Sequence, residues 1–253
     1  MKKLVVLGLL LGVLGTGVFA VGFIGTPTAE LGQGKWGLGF NYSYSSQDLD
    51  KEDYKWSDGD IEKLKLKNFN TQRYYGTLGY GISDCWDVYA QLGFADVKTD
   101  AKETWGDGGF DWGMNFDNDF AWGLGTKITL DQGDTIDWGL AFQMNWLDTS
   151  FDGIVDEEDC EVDIETYDIL VAAGPTIDMS GWKLYGGPYY YYLNGDYDED
   201  WSTFTMTSDL KNSDFGGFIG AAFDLATNCS ANVEYSNNFN DSWSLGTGIT
   251  FKF

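Results

Sequence analysis

From Trp36 onward the chain alternates large and small side chains with a period of two. Trp36, Leu38, Phe40, Tyr42 and Tyr44 stand on one parity, and Gly37, Gly39, Asn41, Ser43 and Ser45 on the other. Successive side chains of a β-strand point to opposite faces, so this segment predicts a strand with one bulky apolar face and one small polar face. The pattern returns over residues 120–130 and, after Asp131-Gln132-Gly133-Asp134, over 136–146, which predicts a hairpin. Further segments at 73–82, 86–95, 167–177, 182–194, 215–225, 231–236 and 243–253 bring the expected count to about ten strands. Pro188 and the tyrosines 189–192 blur the parity of one strand, which predicts a bulge there. Composition agrees, with 34 Gly against 3 Pro and aromatic residues at 17%, including 11 Trp.

The connections decide which face is outside. Those near 83–85, 131–134, 178–181 and 226–229 are tight, whereas those near 46–70, 96–118, 148–165 and 195–213 are long and polar. Short turns at one rim and long loops at the other are the outer-membrane arrangement. A soluble barrel of similar strand number would place the bulky parity inside, where five or six such side chains per strand would overfill it and leave the outer face nearly bare. The bulky parity is therefore expected outside, against lipid. Trp36, Trp86, Trp138, Trp146, Trp182 and Trp243, at strand ends, are expected to form interfacial girdles.

The start of the chain fits this location. Met1, Lys2 and Lys3 precede an apolar run over 4–14, and Val18-Phe19-Ala20 offers a cleavage site, a layout that predicts a signal peptide over 1–20. The run is shorter than the roughly 20 apolar residues of a spanning helix, and no later stretch reaches even half that length. The expected organisation is a signal peptide at 1–20, a periplasmic N-terminal lead-in at 21–34, and a barrel at 35–253. The fold class is all-β: a transmembrane up-and-down antiparallel β-barrel of about ten strands after a cleaved signal peptide. With an even strand number, both termini are expected in the periplasm.

The final strand ends Gly248-Ile249-Thr250-Phe251-Lys252-Phe253. It resembles the terminal signal that bacterial barrel-assembly machinery reads, with Gly248, Phe251 and Phe253 as its assembly-signal residues and Gly246 in place of the usual polar residue. Strands such as Trp36-Gly37-Leu38-Gly39-Phe40 and Trp122-Gly123-Leu124-Gly125, and the turn Gly81-Ile82-Ser83-Asp84 leading to Val88-Tyr89-Ala90-Gln91-Leu92-Gly93, carry a wider resemblance. Through them the whole mature chain resembles the small bacterial outer-membrane β-barrel proteins of the opacity-protein and membrane-anchoring-barrel type. The resemblance implies a bacterial outer-membrane location with lipid and lipopolysaccharide around it and assembly-machinery contacts during biogenesis. It carries no chemistry.

The inward parity holds Arg73, Asp87, Lys127, Asp137, Asp168, Lys183, Asp224, Glu234 and Lys252, which are expected to line the lumen. A turn centred on Gln132 places Lys127 opposite Asp137. Such charges either line a solute pathway or form a polar plug holding the barrel shut, and inward Gly and Ala leave room for water.

The long connections carry most of the acids: Asp48, Asp50, Glu52, Asp53, Asp58 and Asp60, then Asp156, Glu157, Glu158, Asp159, Glu161 and Asp163, then Asp196, Asp198, Glu199 and Asp200. Asp48, Asp50 and Glu52 lack the following Gly of an EF-hand, so a solvated acidic rim that binds divalent cations only weakly is expected. Trp56, Trp105 and Trp201 lie beside these acids and either stack on a partner's sugars or pack the loops. Of three cysteines, Cys85 and Cys229 fall in tight turns and Cys160 in an acidic loop. An odd number leaves at least one thiol unpaired.

A formal net charge of −25 disfavours nucleic-acid partners. The chain contains no His, which removes His-based triads and HExxH zinc sites. Omptin-type proteases and barrel phospholipases resemble the chain in architecture but rely on a His. The expected function is accordingly a non-enzymatic barrel without cofactor, structural or a narrow pore for water and small ions. The alternative is a surface-recognition protein acting through acidic, Trp-bearing loops.

Overall fold

The computed structural model describes residues 22–50, 54–56, 61–105, 108–155, 158–202, 205–238 and 242–253. The expected leader and the loop acids Glu52, Asp53, Asp58, Asp60, Asp156 and Glu157 lie outside the described residues. Ten long strands form one antiparallel ring: β1 (Trp36–Asp50), β3 (Ile61–Ser83), β4 (Trp86–Trp105), β5 (Gly108–Asp131), β6 (Ile136–Val155), β7 (Glu158–Asp178), β8 (Trp182–Trp201), β9 (Thr205–Ala226), β10 (Cys229–Asn237) and β11 (Trp243–Lys252). Each pairs with the next, and β11 pairs with β1 from Gly37↔Lys252 to Ser46↔Trp243. The short β2 (Tyr54–Trp56) stands above the ring and bridges β3 and β9 through Lys55↔Ile61 and Lys55↔Thr207.

The tight turns at 84–85, 132–135, 179–181 and 227–228 all lie at the end that holds Trp36 and Phe253. The connections at the other, distal end differ from expectation. Most of the residues read as long loops continue the strands: β4 runs to Trp105 and β5 begins at Gly108, while β6 runs to Val155 and β7 begins at Glu158. β7 has 21 residues, about 70 Å of strand and roughly 50 Å of height once tilted, against an apolar band of about 25 Å. The barrel therefore stands well clear of the membrane at its distal end.

Two solvents act on one strand. Along β7 the outward row reads Glu161, Asp163, Glu165, Tyr167, Ile169, Val171, Ala173, while the inward, buried row reads Cys160, Val162, Ile164, Thr166, Asp168, Leu170, Ala172. Below Tyr167 the outer face is apolar and meets lipid; above it the outer face is acidic and meets water, and the inner face turns apolar instead. β9 repeats the change, with Phe215, Ile219 and Phe223 outward below, and Met206 and Leu210 inward above. The distal inward side chains meet in a core that includes Leu66, Phe69, Trp112, Met114, Phe116, Leu147, Val162, Ile164, Tyr197, Met206 and Leu210. Cys160 belongs to this core and is buried, so it does not lie in an exposed acidic loop; Cys85 is exposed, and no disulfide joins any of the three among the described residues.

The expected bulge at Pro188 is absent. Ala172↔Tyr189 and Thr176↔Tyr185 share one register, so no residue is inserted and only the pairing with β7 lapses between them. Inward tyrosines of β4 and β8 lie over glycines of the next strand. A Cβ on Gly125, Gly216 or Gly220 would come 2.2, 2.3 or 2.3 Å from the ring of Tyr89, Tyr189 or Tyr185. These inward glycines make space for side chains rather than for water.

Candidate functional site: a plugged lumen

The residues before β1 carry Gly22, Gly25, Pro27, Gly32 and Gly34 and show no strand alternation. Residues 22–31 do not lie below the barrel as a lead-in but run inside it, and inward side chains of the wall hold their backbone. Glu234 of β10 accepts from Ile24 N–H with one carboxylate oxygen and from Gly25 N–H with the other, both at 2.9 Å. Asp87 of β4 accepts from Glu30 N–H at 2.6 Å and Leu31 N–H at 3.1 Å. Thr129 of β5 accepts from Ala29 N–H at 3.0 Å, and the Thr28 and Thr176 hydroxyls meet at 3.0 Å. At the rim, Asp84 accepts from Gln33 N–H, and Gly34 N–H donates to the Gly81 carbonyl at 2.8 Å. Buried main-chain groups outside a sheet need such partners, so an extended peptide can stay in the lumen only where the wall supplies them.

The fit is also steric. A Cβ on Gly246 would come 2.4 Å from Phe23, on Gly139 2.5 Å from the Pro27 carbonyl, and on Gly37 2.7 Å from Leu31. Charge completes it: Lys183 reaches the Glu30 carboxylate at 3.2 Å and Lys252 at 4.0 Å. Above the peptide lies a second layer. Arg73 of β3 pairs with Asp168 of β7 at 2.7 Å, Asn145 donates to the other Asp168 oxygen at 2.7 Å, and Gln143 and Tyr89 extend the chain of bonds across the lumen. Gly22 abuts Arg73 and Gln143, so the peptide reaches this layer. The distal apolar core forms the third. Beside the peptide lies a cavity of about 90 Å³ lined by Phe23, Glu30, Leu31, Asp87, Lys127 and Lys252, room for a handful of water molecules.

The nine inward charges thus fall into distinct environments. Arg73 and Asp168 pair with each other, Asp87 and Glu234 hold peptide N–H groups, and Lys183 and Lys252 hold Glu30. Lys127 lies 6.0 Å from the Tyr89 ring centroid. Lys127 and Asp137 do not meet: Lys127 stands opposite Asp87 on β4 and Ala141 on β6, and Asp137 opposite Thr176 on β7. The turn is centred further along the chain than Gln132, with a register shift between Thr129 and Asp131, and Asp137 instead accepts from Gly133 N–H at 3.2 Å. Asp224 is exposed near the proximal rim. Glu30, the acid at the centre of the plug, lies in the segment expected outside the barrel, and no periodicity marks it.

At the seam of the ring, Trp36 N–H donates to the Phe253 carbonyl and Phe253 N–H to the Trp36 carbonyl, at 2.9 and 3.0 Å. Phe251 faces outward, 45% exposed, and Gly248 faces inward against Asn41 and Asn232. Among the described residues no three His, Cys, Asp or Glu side chains stand close enough to hold a metal ion.

A closed ring whose outer band is apolar and whose lumen is polar defines a membrane-spanning β-barrel. The chain belongs to the outer-membrane β-barrel family: residues 101–251, more than half of it, match the model described as outer membrane protein beta-barrel domain. Its location is the bacterial outer membrane. Among solved structures it is similar to the outer membrane protease OmpT of Escherichia coli, with 11% identity, 86% of this chain and 97% of that one covered, and a TM-score of 0.54. It is also similar to the translocator domain of the autotransporter NalP of Neisseria meningitidis, with 11% identity, 88% and 89% covered, and a TM-score of 0.50. Both likenesses concern the fold alone. Comparison with curated protein sequences finds no match.

Proposed function

We propose that this protein is a non-enzymatic outer-membrane barrel, held shut by its own N-terminal segment and passing at most water and small ions. The observation that carries the reading is the peptide 22–31 inside the lumen, its N–H groups taken by Glu234, Asp87 and Thr129. The Arg73–Asp168 layer and the distal apolar core support it, since a hydrated solute would have to displace all three in turn. The lack of His supports the non-enzymatic part. Lipid and lipopolysaccharide surround the band, and Gly248, Phe251 and Phe253 serve the barrel-assembly machinery during biogenesis. The distal end faces outside the cell, where the acidic outer rows support a second reading as a recognition surface.

Conductance of the purified protein in planar bilayers tests the proposal. Intact protein should show no porin-sized steps, and deletion of residues 22–31 should raise a small-ion leak that the distal core still limits. Large, stable steps from the intact protein would refute it.

A further inference from the structure

The ring is not closed over its whole height. The β4–β5 ladder runs up to Trp105↔Gly108, and β6–β7 up to Val155↔Glu158, so both hairpins are complete. The ladder between β5 and β6 stops at Ala121↔Leu147. Just above that pair a side chain takes over from the main chain: the Asp119 carboxylate accepts from the Thr149 hydroxyl at 2.8 Å and from Ser150 N–H at 3.3 Å. Ser150 N–H therefore points toward β5, and by strand alternation so do the main-chain groups of Asp152 and Ile154. No ladder with β5 includes them among the described residues. They form a free strand edge, the feature that most proteins cover or blunt.

At the foot of the fork a cleft of about 690 Å³ runs over the outer wall from β5 to β8. Its floor is aromatic, with Trp122 and Trp146 stacked at 4.0 Å and 8° beside Phe120 and Tyr167. Its upper walls are acidic: Asp119, Asp148, Asp163, Glu165 and Asp196. None of the five makes an ion pair among the described residues. Partial burial and the nearby Asp148, Asp198 and Asp152 carboxylates raise the Asp163 carboxyl above its usual range, a mark of uncompensated crowding. Ile154, on the free edge, is 74% exposed, and among the described residues the other exposed large apolar side chains lie in the lipid band or at the proximal rim.

We infer that the β5–β6 fork is a docking site for an extended, Lys- or Arg-bearing peptide segment of a partner protein, which adds to the free edge of β6 as a strand and sets its cations beside the outward acids nearest that edge, Asp148, Asp152 and Asp163. Strand addition supplies main-chain hydrogen bonds without demanding a sequence, and the acids supply the selection. A second copy of this chain is a poor occupant, because each copy carries a formal charge of −25.

The test uses the full-length protein in detergent micelles and three short fluorescent peptides. One alternates lysine and valine, one has glutamate in place of each lysine, and one is the lysine peptide with alternate amides N-methylated along one edge, which keeps charge but cannot join a ladder. The lysine peptide should bind at least about tenfold more tightly than either of the others, a difference of about 1.4 kcal/mol. Ile154→Pro removes one edge N–H without touching the β6–β7 ladder and should weaken binding of the lysine peptide by a similar factor. Asp148→Asn with Asp163→Asn should weaken it severalfold and flatten its salt dependence. Equal binding of the N-methylated peptide would reduce the site to charge adsorption and overturn the proposal, as would no binding of the lysine peptide. The N-methylated arm needs no variant, so it decides the matter even where Ile154→Pro disturbs folding.

Discussion

The lipid band and the distal extension are built from the same strands and obey opposite rules. In the band, Ile169 and Val171 face out while Asp168 and Arg73 meet inside; one turn of the pattern higher, Glu161 and Asp163 face out while Val162 and Ile164 are buried. Backbone and pairing do not change across the boundary at Tyr167, only the medium outside does. A strand thus carries no intrinsic inside: the apolar row goes toward lipid where lipid is available and toward the lumen where water takes its place.

Matched substitutions break this contrast most sharply. Ile164→Asp buries a charge in the distal core and should cost about 4 kcal/mol or more, opening the distal hairpins to protease while the band keeps its folded, heat-modifiable migration. Ile169→Asp places the same group against lipid and should instead impair insertion of the band, at up to about 2 kcal/mol. If both changes act on the same half, the division is wrong.

Next in size is the buried ion pair. Arg73→Met strands the Asp168 carboxylate among apolar and neutral groups and should destabilise the band by about 3–5 kcal/mol in urea unfolding from vesicles. Arg73→Met with Asp168→Leu should recover much of that loss. Full additivity of the two single changes would show that they do not interact.

A smaller effect separates the halves by pH. Glu199 is buried in the distal core, where Tyr197 donates to it at 2.7 Å and Trp201 also donates. Burial raises its carboxyl above the usual carboxylate range, against those two hydrogen bonds. The folded extension therefore holds the Glu199 proton more tightly than the unfolded chain does. The contribution of Glu199 to its stability should be greatest below the unfolded carboxylate value of about 4.3, fall as pH rises toward the raised folded value, and then level off. Glu199→Gln should flatten the dependence of distal protease resistance on pH. An unchanged profile would assign it to other groups.

The smallest effect concerns the outward acids. Ca²⁺ or Mg²⁺ should stabilise the distal half weakly, without saturating stoichiometry and with suppression by salt, in a thermal-shift titration. A tight, Ca²⁺-selective transition would mean a preformed site in place of a diffuse acidic surface.

The ring was legible in the chain because the contrast between Trp, Leu or Phe and Gly is large on every band strand. The distal hairpins were equally periodic, as Cys160, Val162 and Ile164 alternate with Glu161, Asp163 and Glu165, yet acid-rich stretches read as loops when every strand is expected to show its apolar face to lipid. The inward charges were legible from parity, but their partners were not. A shift within one turn was enough to move Lys127 from Asp137 to Ala141. The plug left no trace, because residues 22–31 have no period and gain their bonds from carboxylates some 60 to 210 positions away.

The tyrosine–glycine contacts bear on how the wall finds its alignment. A slip of one residue would turn every side chain to the wrong face and is excluded by polarity, but a slip of two preserves both faces and goes unseen by any hydrophobic signal. Tyr185 stands directly opposite Gly220, and Tyr189 opposite Gly216. Moving β8 by two against β9 would bring Tyr185 against Ala222 or Phe218 and Tyr189 against Phe218 or Asp214, where its ring has no empty place to lie. Volume inside the barrel thus gauges position along the strand in steps that the oil–water boundary cannot count, and a misaligned wall would be rejected by its tyrosines before it could close.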